Sequence, residues 1–339
     1  MKAIEISEPG KICLSEREVP SPGKDEVLLQ VNRVGYCGSD LAAFKGLNPL
    51  VTYPRVPGHE IGATIKELGD GVTQWSVGQQ VLVIPYLGCD KCSACLKGRS
   101  NCCMHNKTLG VQTDGMLCEL AVAPQNKLIA ADNLSLEELA IVEPLTVGFH
   151  AVRRADVDET DVVAVIGCGA IGLGAIAGAN YKNAKVIAID IEDSKAEVAK
   201  ACGADHFVNS RTEDVSSRLK ELTGGHGPDA IIEAVGHPLT YTMAVNEVCF
   251  AGRVVYIGWA KAPIEYETKF FVLKELDIRG SRNALPDDFH EVIKMLGEGK
   301  FPLDKVITKT VSMNEAPAAM DQWADDPSVI TKIQIDLGR

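Results

Sequence analysis

The chain has 339 residues, 46% hydrophobic and 24% charged, and its 34 Lys+Arg against 46 Asp+Glu leave a net charge of −12. That length exceeds one compact core and predicts two domains, while the composition excludes a disordered chain. An acidic chain without a basic run is a poor partner for nucleic acid or an anionic membrane surface, and no apolar run of about 18 residues is present to cross a bilayer. The start, Met1-Lys2-Ala3-Ile4-Glu5-Ile6, alternates and carries acid early, unlike a signal peptide, so a cytoplasmic location is expected.

In chain order, the first third reads as strands. Lys2–Ile6, Glu26–Val34 and Gln80–Ile84 alternate or run apolar, with turns at Pro9-Gly10, Ser21-Pro22-Gly23, Pro57-Gly58 and Gly69-Asp70-Gly71. Many short strands with frequent turns predict a small β-rich barrel or sandwich. Of 11 cysteines, five fall between residues 89 and 103. In a chain of this size such clustering points to metal rather than disulfides. Cys89, Cys92, Cys95 and Cys103 follow C-x2-C-x2-C-x7-C, a spacing that wraps a metal from one loop and closes a tetrahedron with no vacancy, as a structural zinc requires. Cys102 is a decoy for the last position, and His105 is a loop residue beside a site that four thiolates already fill.

A second set is scattered. Cys37 in Gly35-Tyr36-Cys37-Gly38-Ser39-Asp40, His59-Glu60 after Pro57-Gly58, and Glu143 before Pro144 supply the mixed, incomplete donors that leave zinc open to water or substrate. Spacing alone reads these equally well as a core cysteine and a hydrogen-bonded histidine.

From about residue 160 the pattern changes. Val162–Ile166, Lys185–Asp190, His206–Asn209, Ala230–Val235, Arg253–Gly258 and Leu276–Arg279 are short apolar runs, separated by helical stretches such as Asp193–Cys202 and Glu213–Leu222. Strand–helix alternation predicts a doubly wound parallel sheet. The first run enters Gly167-Cys168-Gly169-Ala170-Ile171-Gly172, a G-x-G-x-x-G between a buried strand and a helix. The first glycine permits the tight turn, the second lets backbone approach a pyrophosphate, and the third brings helix against strand. Asp190, 18 residues beyond Gly172 at the next strand end, suits a ribose 2′-hydroxyl and repels a 2′-phosphate, which favours NAD over NADP. His150 reads as a buried, hydrogen-bonded residue inside a helix. After about residue 282 one helix, Asp288–Glu298, and one strand, Ile330–Asp336, remain.

Taken together, the order of GYCGSD, PGHE, the four-cysteine lobe, VEPLTVGFHA and VIGCGAIG resembles the zinc-dependent medium-chain alcohol dehydrogenases over essentially the whole chain. Within them the chain looks most like the polyol and sugar-acid branch, which includes sorbitol and L-galactonate/L-gulonate dehydrogenases. The resemblance implies an α/β protein with a GroES-like β-rich catalytic domain over 1–145, a Rossmann domain over 146–281, a return to the catalytic domain over 282–339, and an active site in the cleft between domains. It implies two zinc ions, one catalytic on Cys37 and His59 with Glu60 or Glu143, and one structural on Cys89, Cys92, Cys95 and Cys103. Gly167, Gly169, Ala170, Ile171, Gly172, Asp190 and Lys195 match the NAD site, and Ser39 matches the hydroxyl that takes the alcohol proton.

Ala42 stands where many relatives carry the histidine of a proton path, so that path is expected to differ here. The implied reaction transfers hydride from a secondary alcohol of a polyol or sugar acid, L-galactonate or L-gulonate first, to NAD. Threonine or simple secondary-alcohol oxidation and a non-catalytic NAD sensor are the alternatives. Phe44, Asn48 and Arg282 are substrate candidates, Arg282 as a cation for a carboxylate; core packing, a turn and a solvated charge are their plainer readings. A dimer or tetramer is expected, with Arg253–Gly258 extending a sheet across a two-fold axis.

Overall fold

Val27, Leu28, Leu29, Val31, Val34 and Tyr36 make the strand Glu26–Tyr36 too apolar for an edge, and it becomes the middle of a seven-stranded sheet. The computed structural model describes residues 1–327 and 330–338. Among these, contacts divide the chain into two units, Met1–Glu143 with Leu303–Arg339, and Pro144–Pro302. In the first unit the central strand pairs antiparallel with Glu60–Leu68, Ile333–Asp336 and Leu120–Pro124. Gln80–Val83, Leu128–Ala130 and Lys309–Ser312 complete the sheet. One face packs on a core that includes Ile4, Ile6, Leu117 and Met320. This is the GroES-like architecture expected, and it closes with chain from the carboxyl terminus.

The second unit holds a six-stranded parallel sheet in the order His206–Asn209, Lys185–Asp190, Val162–Ile166, Ala230–Glu233, Arg253–Tyr256, Asp277–Gly280. The first strand in sequence thus sits mid-sheet between Lys185–Asp190 and Ala230–Glu233, where a doubly wound sheet reverses direction and opens a crevice at its carboxyl edge. The first three expected strands appear with their expected bounds, Ala230–Glu233 and Arg253–Tyr256 end two residues early, and the last shifts by one residue to Asp277–Gly280. Asp193–Cys202 resolves into a 3-10 turn, Asp193–Lys195, followed by the helix Ala196–Ala201.

Two expectations are corrected. The return to the first unit comes at Leu303, not at 282. The helix Pro286–Gly297 buries Phe289, Val292, Met295 and Leu296, and its Asp288 binds His150 and Arg153 of the second unit, so it stays there. Arg253–Tyr256 cannot extend the sheet to another molecule, because both its ladders are already occupied; the edges are His206–Asn209 and Asp277–Gly280.

Candidate metal and dinucleotide sites

Three chain segments converge at one end of the first unit's sheet. Antiparallel register sets Gly35 opposite Glu60 and Tyr36 opposite Ile333, which brings Cys37, His59-Glu60 and Lys332 side by side from positions far apart in sequence. Gly35 is glycine for a local reason: a Cβ there would lie 1.9 Å from Glu60 Oε2. Cys37 caps the helix Gly38–Phe44, and its N–H donates to Asp40 Oδ2 at 2.9 Å. That bond occupies the cap, and Ser39 Oγ, inside the helix, is buried without a hydrogen-bond partner among the described residues.

Donor atoms of Cys37, His59 and Glu60 lie within 4.8 Å of one another, with His59 and Glu60 buried. Lys332, 3% exposed, donates from Nζ to Glu60 Oε1 at 2.5 Å and to the Tyr36 carbonyl at 3.1 Å. Glu60 Oε2 is buried with no partner among the described residues. Burial pushes the Glu60 carboxyl up to about 7 against the pull of Lys332. Burial draws the His59 imidazole down, but Cys37 and Asp40 outweigh it and leave it well above its ordinary value. A soft thiolate, an imidazole and a carboxylate with one oxygen to spare form a donor set that suits zinc with an open position. Glu143 stands outside that trio, buried, and accepts a hydrogen bond from the Tyr86 hydroxyl.

The four-cysteine lobe gathers as its spacing predicts. Sγ–Sγ separations are 3.6 Å for Cys92–Cys95, 3.9 Å for Cys92–Cys103 and 3.5 Å for Cys89–Cys103. These are far too long for disulfides and near the edge of a tetrahedron with metal–sulfur bonds of about 2.3 Å, which is about 3.8 Å. Backbone N–H groups of Cys89 and His105 point at Cys103 Sγ, each at 3.3 Å, and backbone bonds help pull the Cys92 thiol down to about 6. Such donors favour thiolate, so the lobe fits structural zinc. Cys102 takes no part in the group and lies against Arg99, and the His105 side chain is exposed.

In the second unit, Gly167 adopts φ +96 and Gly169 caps the helix Ala170–Tyr181, whose first amides are the donors a phosphate can meet, because the Gly167 and Cys168 N–H groups are spent on the Ile189 carbonyl and Asp190 Oδ2. A Cβ on Gly172 would meet the Gly167 carbonyl oxygen at 1.7 Å; the third glycine therefore packs on the loop's own first turn rather than on the strand. Asp190 ends its strand with both oxygens engaged. Oδ2 accepts from Cys168 N–H at 2.6 Å, and Oδ1 from the N–H groups of Ile191 and Glu192 at 2.7 and 3.1 Å. Arg211, brought alongside by the Asp190–Asn209 pairing, is engaged by Glu192 at 3.0 Å. Lys195 lies in the turn after Asp190.

Phe44 and Asn48 are engaged locally within the first unit. Phe44 is 7% exposed in the first unit's core, and Asn48 Oδ1 accepts from Leu50 N–H in a local turn. Arg282 is exposed in the second unit. His150 is buried, its Nδ1–H donating to Asp288 Oδ2 at 2.9 Å. Sequence reasoning missed Lys332, Tyr86 and Glu233, since none lies in a recognisable motif.

Residues 23–133 match the alcohol dehydrogenase GroES-like domain and residues 170–298 the zinc-binding dehydrogenase domain. The L-galactonate-5-dehydrogenase of Escherichia coli K12 is 35% identical over 91% of both chains. A sorbitol dehydrogenase of Halalkalibacterium halodurans is 31% identical over 90% of both. The crystal structure of the alcohol dehydrogenase RspB from E. coli CFT073, complexed with the cofactor NADH, superposes with a TM-score of 0.93 at 32% identity over 99% of both chains.

Proposed function

The chain belongs to the zinc-type medium-chain alcohol dehydrogenases, oxidoreductases that act on CH–OH donors with NAD and zinc, and on that premise we propose that it oxidises a secondary alcohol of a polyol or sugar acid to a ketone. An L-galactonate- or L-gulonate-like substrate is our first choice. The observation that carries the reading is the pair of donor sets in one unit: a closed set of four thiolates, and an open set, Cys37, His59 and Glu60, with one carboxylate oxygen unspent.

When bound, zinc supplies a Lewis acid for the alcohol oxygen and NAD supplies the hydride acceptor. Cys37, His59 and Glu60 hold the catalytic zinc, with Glu143 the further carboxylate, and Cys89, Cys92, Cys95 and Cys103 the structural one. Lys332 keeps Glu60 Oε1 engaged, so that Oε2 remains the donor. Tyr86 fixes Glu143 by its hydroxyl hydrogen bond. Ser39 Oγ, buried and unspent, takes the alcohol proton, and with Ala42 offering no imidazole the proton leaves through water ordered by Ser39 and a carboxylate. Gly167, Gly169, Ala170, Ile171 and Gly172 cradle the pyrophosphate, while Asp190 and Lys195 meet the adenosine ribose. Arg282 is the candidate cation for a substrate carboxylate. The protein works as a homo-oligomer in the cytoplasm, and the exposed edge Asp277–Gly280, with Ile278 41% exposed, is the strand suited to pair across a two-fold axis.

The test is NADH formation by zinc-loaded protein over polyols, aldonates, threonine and simple secondary alcohols, with NADP in parallel. Turnover of one aldonate or polyol with NAD is expected. Turnover of threonine or a simple alcohol alone overturns the substrate class. No turnover with NAD bound and two zinc ions present favours the sensor. Metal analysis should give two zinc per chain, and one for Cys95→Ser.

A further inference from the structure

Glu233 ends the strand beside Val162–Ile166, on the side opposite Asp190, and is fully buried. Its Oε1 accepts three hydrogen bonds: from the N–H groups of Val235 and Gly236 at 2.9 and 2.7 Å, and from Thr240 Oγ1 at 2.7 Å. Its Oε2 is buried with no hydrogen-bond partner among the described residues. Three donors on one oxygen hold the turn Ala234–Gly236 at a set height above the sheet.

That turn is the second wall of the dinucleotide loop. The Cβ that Gly167 lacks would lie 2.7 Å from Val235 Cγ2, and the one Gly172 lacks 3.8 Å from Ala234 Cβ. Ala234 N–H also donates to the Ile166 carbonyl at 2.9 Å, one residue before the loop begins. On its far side the turn is backed by Trp259, since a Cβ on Gly236 would meet that residue's backbone at 2.7 Å. The turn and the loop therefore pack closely: Val235 fills the space beside Gly167, whose carbonyl in turn seats Gly172. The loop lies between two strand-end carboxylates: Asp190 holds the Cys168 N–H directly, and Glu233 holds the turn that Gly167 rests on.

We propose that Glu233 is a positioning residue for the dinucleotide, setting the height of the phosphate loop by hydrogen bonds to the Val235 and Gly236 amides. The proposal rests on NAD occupying this loop. Because only Oε1 is engaged, glutamine can keep all three bonds through its carbonyl and place its amide where Oε2 stands, so the role depends on hydrogen bonding and not on charge. Aspartate retracts the acceptor by one methylene and breaks the geometry.

The experiment is calorimetric titration of NAD into the full-length, zinc-loaded wild type, E233Q, E233D and E233A, alongside zinc content and thermal midpoint. E233A and E233D are expected to weaken NAD at least tenfold with two zinc ions retained, and E233Q to stay within threefold of wild type. A merely structural role would lower the midpoint of E233D and leave its NAD affinity near wild type, which overturns the proposal. Equal loss in E233Q and E233A also overturns it, since the charge would then be the operative property. Should E233A fail to fold, E233D against E233Q carries the comparison. A wild type that does not bind NAD removes the cofactor reading instead, and the titration of wild type separates the two failures.

Discussion

Ser39 Oγ sits inside the first turn of its helix, buried, while Asp40 Oδ2 accepts the Cys37 N–H at the helix start. In the proposed mechanism this hydroxyl takes the alcohol proton, and general acid–base groups contribute roughly a hundredfold or more. Ser39→Ala should therefore lower kcat by about a hundredfold in steady-state assays while zinc content and NAD affinity hold. Asp190 combines two tasks, pinning three backbone N–H groups and presenting negative charge at the loop. Asp190→Asn keeps an acceptor but removes the repulsion of a 2′-phosphate. Its preference for NAD over NADP should fall at least about tenfold, since one unit of charge repulsion is worth about 1.4 kcal/mol or more at such range; unchanged kcat/KM ratios would contradict this.

At the scale of elements, the buried carboxylate of Asp288 ties Pro286–Gly297 to the second-unit part of the helix Leu136–Arg154. Oδ2 accepts the Leu285 N–H at 2.7 Å, which caps Pro286–Gly297, and the His150 Nδ1–H at 2.9 Å, while Oδ1 lies 2.9 Å from Arg153 Nε. His150 and Arg153 both come from Leu136–Arg154, so one side chain joins the helix start to its neighbour. Asp288→Ala strands these donors, and breaking such a buried pair costs about 3 kcal/mol or more. A urea titration should show that loss with the first unit's zinc content unchanged. The same tie explains why residues 282–302 remain with the second unit although strand–helix alternation has already stopped.

Across the whole molecule, all eleven cysteines are unpaired, and three outside the metal sets are buried in the two units' interiors. Burial pushes Cys118 and Cys202 up to about 12 from an ordinary 9.0, and Cys168 is raised by burial and by Asp190. A raised folded value means that the folded protein holds protons the unfolded chain has released. The stabilisation is complete below pH 9 and is lost as pH climbs toward 12, by about 1.4 kcal/mol per pH unit for each thiol. Denaturant titrations under reducing conditions should show stability falling above pH 9, and the C118A/C202A double variant should fall less steeply.

The chain by itself determined what is local. Cys89, Cys92, Cys95 and Cys103 lie within one loop, and the glycine loop follows its strand directly, so residue spacing alone carries their geometry. All six strand positions of the parallel sheet and the closed thiolate set were legible for the same reason. Tertiary structure decided what depends on register. Lys332 precedes an alternating Ile333-Gln334-Ile335-Asp336, a pattern that reads as one wet face, yet Lys332, Gln334 and Asp336 are all buried because the strand enters the middle of a sheet. The return point at Leu303, the pairing of Tyr86 with Glu143 and the Glu233 clamp have no spacing signature either. Each joins residues whose proximity is created by strand pairing or helix packing, and a burial pattern that period alone assigns to solvent can be reversed once both faces of a strand are covered.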